Sequence, residues 1–192
     1  MRNSFPPLWL CLVFLLASLF VRGQVVNVVK DEFISVYDVA TQVPRQVEWT
    51  LHAEDVGHAK RETQWRFTMD VPNVLAIATH ADYNRSGYHR GHMCPAADRS
   101  VSKQSMKNTF VMSNVAPQLP AINVGSWKQT ENLCRTYALQ YDSVCVLACP
   151  VFLHRDTLRI GHAPICVPHA YFKAVWVAST DSVLNAWFIF NK

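Results

Sequence analysis

Five apolar segments of strand length, with one longer stretch of helical spacing among them, confine this chain to a layered α+β fold. Residues 32–37 and 46–51 are rich in β-branched and aromatic side chains, and a polar stretch holding Pro44 joins them as a hairpin-like pair. Residues 143–148, 171–178 and 184–190 read as three further strands. Residues 125–140 have helical spacing, with Trp127, Leu133 and Tyr137 available for an inward face. A short helix over 102–106 and a buried strand over 109–112 are also expected, while 60–70 and 82–87 read as irregular. Strands predominate, with about two substantial helices inserted, which predicts a mainly antiparallel sheet.

The 192 residues suit one domain, and 50% of them are apolar, enough for a real core. Charged residues are sparse, which excludes a disordered polyelectrolyte. Residues 1–23 stand apart. Arg2 gives a basic start, 8–20 is an almost unbroken apolar run too short to cross a bilayer comfortably, and Val21-Arg22-Gly23 suits a signal peptidase. The expected organisation is a signal peptide over 1–23 and a single domain over 24–192. The expected address is secreted or periplasmic, with no stable membrane association after cleavage. An uncleaved anchor is the alternative; a mitochondrial presequence would be arginine-rich and amphipathic instead. Loss of Arg2 and Arg22 lowers the net charge two units below the +4 of the whole chain. A nucleic-acid partner would then require positive charge gathered on one face. Cys94, Cys134, Cys145, Cys149 and Cys166 remain, an odd set that leaves at least one unpaired and whose pairing is not assignable from sequence. Cys145 and Cys149, four apart in a strand, share a face but lie too far apart for an unstrained bridge.

The chemistry-bearing residues cluster in three segments. Tyr88-His89-Arg90-Gly91-His92-Met93-Cys94-Pro95 comes first, then Ser113-Asn114-Val115-Ala116-Pro117-Gln118, then Asn123-Val124-Gly125-Ser126-Trp127. Metal-assisted phosphodiester cleavage needs an activated water, charge neutralisation at phosphorus and a hard-cation ligand. His92 supplies a base that titrates near neutral pH, and Arg90 a permanent fork of donors for phosphate oxygens. Gly91 removes bulk so that a phosphate can approach the backbone. Asn123, opening a helix, offers a neutral oxygen to Mg²⁺, an ion that keeps several waters and needs few protein ligands. Glu131 lies eight residues on, ~12 Å along the axis of a continuous helix, better placed to hold a metal-bound water than the ion itself. Taken singly, each has a plainer reading: a charged loop, a helix N-cap for Asn123, a solvated helix residue for Glu131.

Together the segments resemble the DNA/RNA non-specific endonucleases, the ββα-metal (His-Me finger) nucleases of the endonuclease G and Serratia type. The family pattern Asp-Arg-Gly-His-(Leu/Met)-Ala-Pro-Ala is similar to His89-Arg90-Gly91-His92-Met93-Cys94-Pro95-Ala96. Leu-Ser-Asn-(Val/Ile)-(Ala/Ser/Thr)-Pro-Gln is similar to Met112 through Gln118, and Leu-Asn-Gln-x-x-Trp-x-x-x-Glu to Ile122 through Glu131. Pro150-Val151-Phe152-Leu153 and Val167-Pro168-His169-Ala170-Tyr171-Phe172-Lys173 resemble two later family stretches, so the likeness runs from about Tyr37 to the end.

The resemblance implies a mixed sheet carrying the metal finger and a Mg²⁺-dependent endonuclease acting on DNA and RNA, with Mn²⁺ able to substitute. It implies His92 as general base, Asn123 as direct metal ligand, Glu131 acting through water and Arg90 clamping phosphate. The family's upstream arginine falls on Arg61, with Arg66 competing. Products would carry 5′-phosphate and 3′-hydroxyl ends. Family members are often homodimers, and no interface is legible here. Three positions depart from the pattern: His89 replaces aspartate, Cys94 replaces alanine, and Cys149 replaces the glycine before Pro150. The first makes a catalytically impaired nucleic-acid binder the main rival reading. A zinc module built from His162, Cys166 and His169, with Cys145 and Cys149 nearby, is a weaker one. Asn84-Arg85-Ser86 is a glycosylation sequon beside the active segment, expected to be unused because a glycan would crowd the cleft. No recognition helix is evident, so sequence specificity should be weak.

Overall fold

The computed structural model describes residues 24–71, 78–154 and 157–192; the expected signal segment 1–23 lies outside them. In chain order the strands are β1 (Val25–Val29), β2 (Ile34–Asp38), β3 (Val43–His52), β4 (His89–His92), β5 (Val115–Gln118), β6 (Ser143–Val151), β7 (Arg159–Ile160), β8 (Ile165–Cys166), β9 (Ala170–Val177) and β10 (Val183–Phe190). The helices are α1 (Lys103–Asn108), α2 (Pro120–Val124) and α3 (Ser126–Tyr141). Six strands form one sheet in the order β1-β2-β3-β6-β9-β10, every neighbour antiparallel. The α+β class and the antiparallel sheet are therefore as expected.

Alternation along β6 sorts the sheet into two faces. Val144, Val146 and Ala148 join Trp127, Cys134 and Ala138 of α3 in the main core. Cys145, Leu147 and Cys149 point the other way, beside Ala174 and Trp176. The expected common face of Cys145 and Cys149 is thus observed. All five cysteines of the described residues are buried free thiols.

Several elements differ from expectation. The polar link between the first two strands is shorter, because Pro44 lies inside β3, opposite Tyr37 at an irregularity in the ladder. Residues 109–112 are buried but form no strand. Phe110 N–H turns back to the Lys107 carbonyl, and only one bridge, Thr68 to Val111, links this segment to another. Leu133 of α3 is exposed; the buried residues there are Trp127, Thr130, Cys134 and Ala138, with Tyr137 packed at the edge. Thr130 completes that face because its hydroxyl donates to the Trp127 carbonyl at 2.7 Å.

The helical stretch also breaks where continuity was expected. Gly125 has φ −103° and ψ −110°, which separates α2 from α3. A Cβ there would collide with the Ala121 carbonyl oxygen, so the break requires glycine. Asn123 therefore sits inside α2, neither opening nor capping α3, and the two-turn spacing to Glu131 does not apply.

Candidate active site

The short β4–β5 pair, with α2 and α3 following it, carries the three motif segments. Register sets His89 opposite Gln118, Arg90 opposite Pro117, Gly91 opposite Ala116 and His92 opposite Val115. Asn114 clamps the chain after β4: its Oδ1 accepts from Cys94 N–H at 2.8 Å, and its Nδ2 donates to the Cys94 and Thr109 carbonyls. Trp127, fully buried at the start of α3, donates its Nε1–H to the His92 carbonyl at 3.0 Å. Strand, turn and helix thus fix the backbone of His92 independently of any ligand.

Gly91 has a packing reason that the sequence reading did not give. A Cβ at this position would overlap the side chain of Gln118, which is itself fully buried. Gly91→Ala is accordingly expected to cost about 1–3 kcal/mol, the usual range for overpacking. Adding Gln118→Ala should restore most of that loss in urea unfolding. Simple additivity of the two losses would show that the steric account is wrong.

The His92 ring packs against both Phe67 and Phe110, with centroids 4.8 and 4.7 Å away, and these two rings also meet each other at 5.0 Å, so the three form a triangular cluster. Its Nε2 is buried and has no hydrogen-bond partner among the described residues. Burial first, and the Arg61 charge second, push its pKa down to about 3. Both causes oppose protonation of the ring, against the expectation of a titration near neutral pH. Arg61 lies over the Phe110 ring, its guanidinium carbon 4.7 Å from the centroid. Arg66 instead acts on His80, whose pKa is lowered by burial, then by Arg90 and then by Arg66. The structure thus favours Arg61 over Arg66 as the cation beside His92.

Arg90 is held rather than free to swing. Its Nε donates to the His80 carbonyl at 3.0 Å, its Nη2 to Asn84 Oδ1 at 2.6 Å, and it lies over the Tyr83 ring. Anchored so, it contributes a fixed positive charge on β4, two residues before His92. The same contact ties up the sequon asparagine, Asn84.

Asn123 meets His89, its Nδ2 lying 3.1 Å from the imidazole Nδ1. The two residues are half-buried and exposed, respectively. Glu131 lies in a separate electrostatic neighbourhood. Burial raises its pKa to about 7, with Lys173 pulling it down, Asp98 pushing it up and Arg135 pulling it down. Lys173 is fully buried, with its Nζ 3.8 Å from the centroid of the Trp127 ring. A carboxyl whose pKa is raised on folding stabilises most below its unfolded value, here 4.5, and loses that contribution as pH climbs through about 7. In chelator, Glu131→Gln should therefore flatten the fall in melting temperature between pH 4.5 and 7 relative to wild type. Parallel melting curves for the two proteins would contradict the raised carboxyl.

Phe67, His80, Phe110, Asp98, Arg135 and Lys173 were not identified as site residues from the sequence. Arg135 carried a signal, since it stands four residues after Glu131 on the same helical face, and Lys173 ends one of the stretches that resemble the family. The zinc alternative gains nothing from the geometry. His169 Nδ1 accepts from Leu153 N–H, and no group of three or more His, Cys, Asp or Glu among the described residues is placed to hold a metal ion. Asn123 and Glu131 carry oxygen donors of the kind a hard, hydrated cation takes, and the His92 Nε2 is left without a partner among the described residues.

Comparison with known proteins bears on the family and the fold. The sequence model of the family described as DNA/RNA non-specific endonuclease matches residues 20–191. Human endonuclease G, mitochondrial, is 37% identical over 157 residues, covering 76% of this chain and 52% of that protein. Nuclease EXOG, mitochondrial, of Xenopus laevis is 34% identical over 158 residues, covering 76% and 44%. The chain thus spans about half the length of the curated relatives it matches. A solved structure of an EndoG/EndoGI complex, concerned with EndoG inhibition, superposes with a TM-score of 0.79 at 23% identity, covering 94% of this chain and 80% of that one. The fold is therefore shared. The secreted or periplasmic address is overturned by these relatives, whose names are mitochondrial in animals and yeasts alike.

Proposed function

Because this chain belongs to the DNA/RNA non-specific endonuclease family, we propose that it hydrolyses phosphodiester bonds in both DNA and RNA with Mg²⁺ as cofactor. Residues 24–192 form the catalytic domain of this reading, and its products carry 5′-phosphate and 3′-hydroxyl ends. The names of its relatives point to a mitochondrial rather than an exported setting. The observation that carries the reading is the His92 ring, packed against Phe67 and Phe110 with its Nε2 unpartnered among the described residues and Arg61 beside it.

Asn123 would hold the cation directly, and Glu131 through water. Bound Mg²⁺ supplies Lewis-acid neutralisation of phosphate charge. His92 takes the proton of the attacking water at Nε2. A phosphate seated on Arg61 would offset the second of the two causes that lower the imidazole pKa and so raise its basicity towards what the role needs. Arg61 and the anchored Arg90 hold the phosphate, and neither reads a base. Sequence discrimination should accordingly be weak.

The test is incubation of plasmid DNA and of structured RNA with Mg²⁺, repeated with chelator. Chelator-sensitive nicking of both polymers is expected. Salt-dependent binding of either polymer without any nicking would leave only a nucleic-acid binder, whose affinity comes from phosphate contacts.

A further inference from the structure

The contact between Asn123 and His89 determines which end of the carboxamide is available. An amide nitrogen only donates, and an imidazole nitrogen accepts only when it carries no proton. The 3.1 Å approach of Asn123 Nδ2 to His89 Nδ1 therefore uses the amide nitrogen on the ring. The oxygen, the only end of the group that a hard cation takes, is turned the other way.

Both partners are held by backbone rather than by this contact. Asn123 N–H donates to the Leu119 carbonyl at 2.9 Å, closing α2. His89 is paired across the β4–β5 ladder with Gln118, the neighbour of Leu119, whose own N–H is fixed by Asn191 Oδ1 at 2.9 Å. The register thus delivers the imidazole to the carboxamide.

We propose that His89 is a positioning residue that orients the Asn123 carboxamide so that Oδ1 faces the divalent cation. It departs from the aspartate of the family pattern yet retains the needed property, an acceptor at the end of a short side chain. The inference rests on the reading of Asn123 as the metal ligand, and the experiment separates the two.

Mn²⁺ binding to the full chain, followed by electron paramagnetic resonance without nucleic acid, is the readout. His89→Ala should weaken Mn²⁺ binding by roughly 10–100-fold, the usual effect of removing a residue that orients a ligand. His89→Asn places an acceptor near the Nδ1 position and should bind close to wild type. His89→Gln carries its acceptor too far out and should behave like alanine. His89 is exposed, so these variants should keep the wild-type melting temperature. Unchanged or tighter binding in His89→Ala overturns the proposal; tighter binding would mean that the ring had been masking the oxygen. An unaltered Mn²⁺ affinity in Asn123→Ala would instead sink the ligand reading itself.

Discussion

Substituting phenylalanine for His92 is expected to lower phosphodiester cleavage by about 10²–10⁴-fold, the range that a positioned general base supplies, and to raise thermal stability at the same time. The ring already packs against two phenylalanines, so a third fits the local chemistry, and the buried Nε2 that lacks a partner among the described residues disappears. An unsatisfied buried polar atom costs about 1–3 kcal/mol. The pH response supplies an independent check. A histidine whose pKa falls from 6.5 to about 3 on folding contributes stability that is present above 6.5 and is lost as pH falls towards 3. The phenylalanine variant should therefore resist acid unfolding better than wild type over that window. Retained cleavage, or a variant less stable at pH 4 than wild type, would refute the assignment of this imidazole.

Asp98→Ala should cost about 3–5 kcal/mol, the usual penalty for stranding one member of a buried ion pair. Asp98 is fully buried and accepts from Arg135 Nη1 at 2.6 Å and from Trp49 Nε1 at 3.1 Å. Burial raises its carboxyl pKa, while Arg135 pulls the other way. Loss of the carboxylate leaves a largely buried guanidinium uncompensated on α3, one turn from Glu131. Asp98→Asn retains a hydrogen-bond acceptor and should lose less, and Asp98→Ala with Arg135→Met should recover part of the deficit. Guanidinium unfolding measures each. A loss below about 1 kcal/mol in Asp98→Ala would show that the pair is solvated, contrary to its burial.

Much of this molecule was legible in one dimension. The strands at 143–148, 171–178 and 184–190 were found because their apolar runs are long and β-branched or aromatic, and each lies within or beside an observed strand. The helix over 125–140 was found within one residue at each end. The strand β4 was not found, because His89-Arg90-Gly91-His92 is short and polar and is a strand only through its pairing with β5. Residues 109–112 failed the other way. Their apolar character reports burial correctly, but the hydrogen bonds of Phe110 and Met112 run to Lys107 and Thr68 rather than along a ladder.

The site divides along the same line. Sequence by itself determined the identity and order of the candidate groups, His92, Arg90, Asn123 and Glu131, because each chemical role proposed for them needs a particular side chain. Only the tertiary structure decided what those groups do at neutral pH and which way they face. Phe67, Phe110 and Arg61 desolvate and repel the protonated form of His92, Lys173 and Asp98 act on Glu131 from distant strands and turns, and His89 turns the amide of Asn123. Basicity and orientation are set by neighbours in space, and those neighbours are scattered over more than a hundred residues of chain.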